Sequence, residues 1–180
     1  MVMDATLDAV LSLTSLDPLG SATAPVVSKQ KFLHFCLGPE DSALLAVNSI
    51  AEVIRVPMTE VLPVPQMPSS VLGIYNRRGE MLWLVDLGHL LGYPLGFVPG
   101  STIATGMAIV LEVEGQFLGL VVPQVNDIEW HDPQQLQPPS ATLFSPKLLP
   151  FVQGYFNGSL GTVLDPVAIA QSPLLQLSRP

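Results

Sequence analysis

The sequence predicts a mainly β chain made of two copies of one small unit, preceded by an N-terminal extension. Three observations carry this. Apolar runs of strand length, rich in Val, Ile, Leu and Phe, recur between turn signals supplied by 18 prolines and 14 glycines, the pattern of small barrels and sandwiches. Hydrophobic residues make up 48% of the 180, enough for a sizeable core. The two halves also repeat one pattern at a nearly constant offset.

In chain order, residues 1–30 form the extension. "DATLDAVLSLTSLD" places Leu7, Val10, Leu11 and Leu13 near helical spacing, and "PLGSATAPVVSKQ" then breaks the pattern. A short helix in an otherwise flexible segment is expected. "KFLHFCLG", "PED" and "SALLAVNSIAEVIRV" read as strand, turn and second strand. A proline-rich connection, "VLPVPQMP", leads to the hairpin "VLGIYNRRGEMLWLVDL". The second half follows suit with "MAIVLEVEGQFLGLVV", "PQVNDIEW", "LQPPS" and "FVQGYFNGSLGTVLDP". Glu52 matches Asp127 at a separation of 75, and Gly73 matches Gly154 at 81. The repeat predicts a first barrel unit over about 31–90 and a second over about 103–165, with the C-terminal segment packing back.

Within the shared hairpin, Gly73 and Gly154 interrupt apolar strands, where glycine marks a bulge or a close backbone approach. Asn76 and Asn157 start the turns, since Asn tolerates left-handed backbone. Asp86 and Asp165 end strands and can accept from the free N–H groups of a following turn or helix. Arg77 and Arg78 stand out. The second half carries "NGSLG" where the first carries "NRRGE", so the loop forms without arginines. They either solubilise the turn, or one is fixed by the hairpin and offers planar donors to a partner.

Several function classes lose support. Net charge is −8 and the seven Lys and Arg form no run, which argues against nucleic acid and anionic lipid as partners. No stretch has the roughly 18 uncharged apolar residues of a spanning helix. The N-terminus has acids where a signal peptide carries basic residues, and a single cysteine allows no internal disulfide. A cytoplasmic protein is expected. Charged residues are only 12%, which predicts a surface covered within an assembly.

His34, His89 and His131 lie far apart in sequence with no metal-ligand spacing, so no metal site is expected. Cys36 reads as a packed core thiol; His34 could share its strand face, but no activating charge is evident. No phosphate-cradling glycine loop occurs, and no cofactor is expected. The residues favour a binding protein over an enzyme. Three classes stay in view: a scaffold, a small-anion-binding β-barrel with Arg78 as the anion contact, and an enzyme using Asp86 with a histidine.

"VLGIYNRRGEMLWLVDL" resembles the hallmark of the CheW-like chemotaxis adaptors, a Gly-x-x-Asn-x-Arg-Gly hairpin running into a strand and Asp-Leu. It maps to Gly73, Asn76, Arg78, Gly79, Asp86 and Leu87. "SIAEVIRV", "VLPVPQMPSSVLG" and "MAIVLEVEGQFLGLVVPQVNDI" are similar to the family's flanking segments, and the likeness covers about 32–175. The resemblance implies two intertwined SH3-like five-stranded barrels with short helices, and no catalysis. It implies binding to the regulatory domain of a CheA-type histidine kinase and to the cytoplasmic tip of a methyl-accepting receptor, in arrays at the membrane. It also implies a receptor groove lined by Ile50, Glu52, Gly73, Arg78, Met107 and Ile128. The chain departs from the family in Trp83, where a Pro is usual, in Pro123, and in the shortened "NGSLGTVLD" hairpin. Those departures, with the low charge and the extension, are read as a specialised taxis system, twitching or phototaxis.

Overall fold

The computed structural model describes residues 28–102, 104–158 and 161–175. The helix expected near Leu7–Leu13 lies outside them. The strands are β1 (Gln30–Cys36), β2 (Ser42–Ala46), β3 (Ile50–Pro57), β4 (Val71–Arg77) and β5 (Glu80–Asp86), followed by the short helix α1 (Leu87–Leu90). Then come β6 (Thr105–Val113), β7 (Gln116–Val122), β8 (Val125–His131), β9 (Val152–Phe156), β10 (Gly161–Leu164) and α2 (Pro166–Ala170). Each half therefore gives a hairpin, a third strand, a second hairpin and a helical turn.

The strands form two five-stranded sheets, ordered β3-β6-β7-β5-β4 and β8-β1-β2-β10-β9. The two orders become identical when β1–β5 are exchanged for β6–β10. Each sheet takes the third strand and second hairpin of one half and the first hairpin of the other. The repeat units expected at 31–90 and 103–165 therefore do not coincide with the two sheets, because the leading hairpins are swapped. The swapped hairpin docks through a parallel pair, β5 with β7 and β10 with β2.

The chain crosses between sheets at Val47–Ser49 and at Pro123–Gln124. "SALLAVNSIAEVIRV", expected as one strand, is split by a 3-10 turn over Val47–Ser49, where Ser49 Oγ donates to the Ala46 carbonyl at 2.7 Å. The turn contains neither Gly nor Pro, so the break carries no punctuation in sequence.

Strand alternation sorts side chains between cores. Ala108 and Val110 of β6 face the interior of the first barrel with Leu72, Leu84 and Phe97. Ile109 and Leu111 face a shared core with Phe35, Leu45, Leu120 and Leu164. A smaller cluster, Phe32, Leu44, Phe156 and Val163, fills the second barrel. Strands buried on both faces need near-continuous apolar sequence, which accounts for much of the low charge content. The chain packs back as far as Leu175, buried in the shared core.

Gly73 and Gly154 allow the same close approach in the two sheets. Leu62 and Ile74 exchange both backbone hydrogen bonds at 2.9 Å, and Gln137 and Tyr155 do so at 2.8 and 3.0 Å. A Cβ on Gly73 would run into the Leu62 carbonyl, and one on Gly154 into the Gln137 carbonyl oxygen. At Gly73 the φ of +140° adds a conformation that side chains rarely adopt.

Candidate functional site

At the turn between β4 and β5 stand the two neighbouring arginines of the first barrel. Arg78 and Gly79 occupy it with φ of +52° and +87°, the left-handed pair of a two-residue hairpin. Asn76 Oδ1 accepts from the Gly79 N–H at 2.8 Å, which fixes the turn from the end of β4. Asn or Gly would sit at position 78 with less strain than Arg.

The two arginines differ sharply. Arg77 precedes the turn, and its side chain is only 12% exposed. Its Nη1 donates to Glu52 Oε1 at 2.9 Å, its Nη2 to Glu80 Oε2 at 3.3 Å, and its guanidinium lies 4.5 Å from the Phe117 ring centre. Arg78 reaches the other Glu52 oxygen at 3.3 Å but is 82% exposed. Glu52 is on β3, at the opposite edge of the sheet from β4, so the ion pairs help close the barrel. Exposed Met81 and partly exposed Phe117 flank the turn. Arginine beside Met and an aromatic ring is a combination enriched at protein-binding faces.

The other residues expected to line a groove fall as follows. Ile50 begins β3 opposite Leu111, and Met107 on β6 pairs with Arg55; both are half-buried and pack against the shared core. Gly73 is buried under the Leu62–Pro63 backbone, so it shapes the barrel wall instead of touching solvent. Ile128 is on β8, an edge strand of the second sheet, and is 52% exposed beside Trp130 at 57%. Lys31 Nζ covers the Trp130 ring at 4.9 Å. The structure thus joins Glu52 to Arg78 directly, and puts Ile128 on a separate strand edge. Sequence reasoning left open which of the two arginines the hairpin fixes, and missed Trp130. The signal for Arg77 was its i,i+3 relation to Glu80 across a two-residue turn, which turns the pair toward one another.

Asp86 ends β5, 2% exposed. It accepts from the backbone N–H groups of His89, Gly96 and Phe97 at 3.1, 2.8 and 3.2 Å, holding α1 and the loop after it. Leu87 beside it is fully buried. Asp165 likewise accepts from Val167 and Ala168 at the start of α2. The Asp86 carboxylate is committed to backbone donors, and the His89 ring points elsewhere, to Ser69 Oγ at 2.9 Å and the Tyr93 carbonyl at 3.1 Å. That arrangement removes the basis for pairing Asp86 with a histidine in catalysis.

Cys36 is half-buried at the end of β1, not in the core. Its Sγ lies 3.8 Å from the Asn126 amide, while His34 turns toward Asp127 and Glu129. A cleft of about 820 Å³ opens between α1 and α2, lined by Pro68, His89, Lys147, Phe151 and Leu174 among others. Arg78 is not part of it, so the anion-binding alternative gains no pocket.

Two tyrosines anchor the loops around these elements. Burial, then a hydrogen bond and the charge of Asp41, push the Tyr93 hydroxyl up to about 12. Burial, then the charge of and a hydrogen bond with Glu60, raise that of Tyr75. Among the described residues no helix is long and apolar enough to cross a membrane.

Comparison with known proteins agrees with this architecture. A model of the CheW-like domain matches residues 31–174. The chain is 32% identical over 80 residues to the chemotaxis protein CheW of Rhizobium meliloti (strain 1021), covering 44% of this chain and 49% of that one. The probable chemotaxis protein CheW of Rhizobium etli gives the same identity and coverage. The aligned region thus spans about half the length of these curated relatives. The crystal structure of the scaffolding protein TtCheW from Thermoanaerobacter tengcongensis superposes with a TM-score of 0.63, at 23% identity, over 77% of this chain and 90% of that one.

Proposed function

The chain belongs to the CheW-like domain family, and from that membership we propose that it is a non-catalytic adaptor coupling receptors to a CheA-type histidine kinase in a taxis pathway. The kinase would be met through its regulatory domain, barrel against barrel, and the receptor through the helical hairpin of its cytoplasmic tip. The adaptor acts by surface complementarity, so its contribution to signalling is geometric: it sets which kinase stands beside which receptor in an array.

The observation that carries this reading is Arg78. It is held in a left-handed conformation that bulky side chains adopt at a cost, on a turn braced by Arg77 and Glu52, with its guanidinium displayed to solvent. A strained, exposed, pre-oriented donor is better explained by a partner than by stability. In this reading Glu52 and Arg78 form the polar edge of the receptor groove. Ile50 and Met107 supply apolar wall, Gly73 gives the wall its shape, and Ile128 with Trp130 forms an apolar strip on the second barrel.

The test is titration of a receptor-tip helical hairpin with the wild-type protein and Arg78→Glu. The variant should lose at least about 10-fold in affinity, roughly 1.4 kcal/mol, with an unchanged melting temperature. Unchanged binding would remove Arg78 from the interface. Global unfolding of the variant would make it a structural residue instead.

A further inference from the structure

The second sheet holds a cluster that sequence spacing concealed. β1 and β8 pair antiparallel with an irregularity between Leu33 and Phe35. There His34 Nδ1 lies 3.2 Å from Asp127 Oδ1 and 3.1 Å from Glu129 Oε1, the three ligand atoms all being within 4.8 Å of one another. The second oxygen of Glu129 is held by His131 Nε2 at 2.7 Å. The His131 ring is itself stacked on Phe156 at 4.4 Å. Two histidines distant in the chain therefore share one carboxylate. One ring nitrogen of His34 faces two carboxylate oxygens, so a single N–H must serve both.

We propose that His34, Asp127 and Glu129 form a site for a divalent transition cation of the zinc class, with His131 orienting Glu129 from outside. Donors placed tetrahedrally at 2.0–2.1 Å from a metal are roughly 3.3 Å apart, and both His34–carboxylate separations already lie near that value. An imidazole with two carboxylates selects zinc, nickel, cobalt or copper over calcium and magnesium, which prefer all-oxygen shells. Asp127 is 68% exposed on its side chain, so the metal has an entry path and keeps at least one position open to solvent. A histidine gripping the free oxygen of a ligating carboxylate is the outer support such sites use. His34 Nε2 is buried without a hydrogen-bond partner among the described residues, so this ligand lacks its own outer support there and the affinity is micromolar, not nanomolar. Bound metal would clip edge strand β8 to β1 beneath the strip formed by Ile128 and Trp130. The site is independent of the adaptor reading.

The experiment uses the full chain, stripped with a chelator and titrated with Zn²⁺, then with Co²⁺, Ca²⁺ and Mg²⁺. Calorimetry should give one Zn²⁺ per chain. At about 100-fold excess over Kd the melting temperature should rise by roughly 5–10 °C. Co²⁺ should develop visible absorption of a low-coordinate site. His34→Gln and Asp127→Asn should each weaken binding at least about 10-fold, whereas His89→Gln should not; Asp127 is exposed, so its variant tests the site without risk to the fold. No Zn²⁺ binding, binding that survives both substitutions, or an equal response to Ca²⁺ or Mg²⁺ would overturn the proposal.

Discussion

Replacing the two neighbouring arginines separately should give opposite phenotypes. Arg77→Met keeps the aliphatic stem but removes the charge-assisted bond to Glu52 at 2.9 Å, the weaker one to Glu80, and the stacking on Phe117. A hydrogen bond to a charged group contributes about 1.5–3 kcal/mol and a cation–π contact about 0.5–1 kcal/mol. Arg78 remains to compensate Glu52 in part, so the net loss should be about 2–3 kcal/mol. Arg78→Met removes only an exposed pair, worth about 0–1 kcal/mol. Arg78→Gly goes further. It relieves about 1–2 kcal/mol of left-handed strain and should leave stability unchanged or slightly raised. Urea unfolding of the three variants measures these directly, and a double-mutant cycle with Glu52→Gln should give coupling above about 1 kcal/mol for Arg77 and below about 0.5 kcal/mol for Arg78. Equal losses at both positions, or strong coupling of Arg78 to Glu52, would refute the division into a bracing arginine and a displayed one.

The glycine pair gives a second test: Gly73→Ala must displace the Leu62 carbonyl and accept φ of +140°. It should cost about 2–4 kcal/mol from strain and two weakened backbone bonds. Gly154→Ala faces a backbone clash without the positive φ, so its loss in urea midpoint should be the smaller of the two. Asp86→Asn leaves three backbone donors facing an amide in place of a carboxylate; a loss of about 2–4 kcal/mol is expected, with faster amide exchange at Gly96 and Phe97. Tyr93 sets an alkaline limit. Its folded value of about 12 lies above the unfolded 10.0, so its contribution is complete below pH 10 and is lost as pH rises toward 12. Urea midpoints measured across that window should fall less steeply for Tyr93→Phe than for wild type.

Local chemistry was legible wherever one residue type serves one backbone geometry. Glycine at a close approach and Asp ahead of a helical turn could be placed from sequence because Gly73, Gly154, Asp86 and Asp165 each answer a need of their own few neighbours. The hairpin swap was legible only through the family resemblance, which implies intertwined barrels, and not from the residues themselves. Alternation says which face of a strand is apolar, but β1–β2 and β6–β7 would satisfy their apolar faces against either sheet. The crossing at Val47–Ser49 contains no breaker either. The same limit hid the His34–Glu129–His131 cluster, because only the β1–β8 register brings those residues together. Arg77 was overlooked in favour of Arg78 for a related reason: the motif marks a turn position, while burial against Glu52 and Phe117 depends on strands β3 and β7.

The measurement that most directly tests the adaptor reading is calorimetric titration of the protein with the regulatory domain of a CheA-type kinase from the same genome. The account predicts micromolar binding, weakened at least about 10-fold by Leu62→Glu, which charges an exposed apolar residue (59% accessible) on the first barrel, and retained in Arg78→Glu. Absence of binding to any such kinase would contradict it.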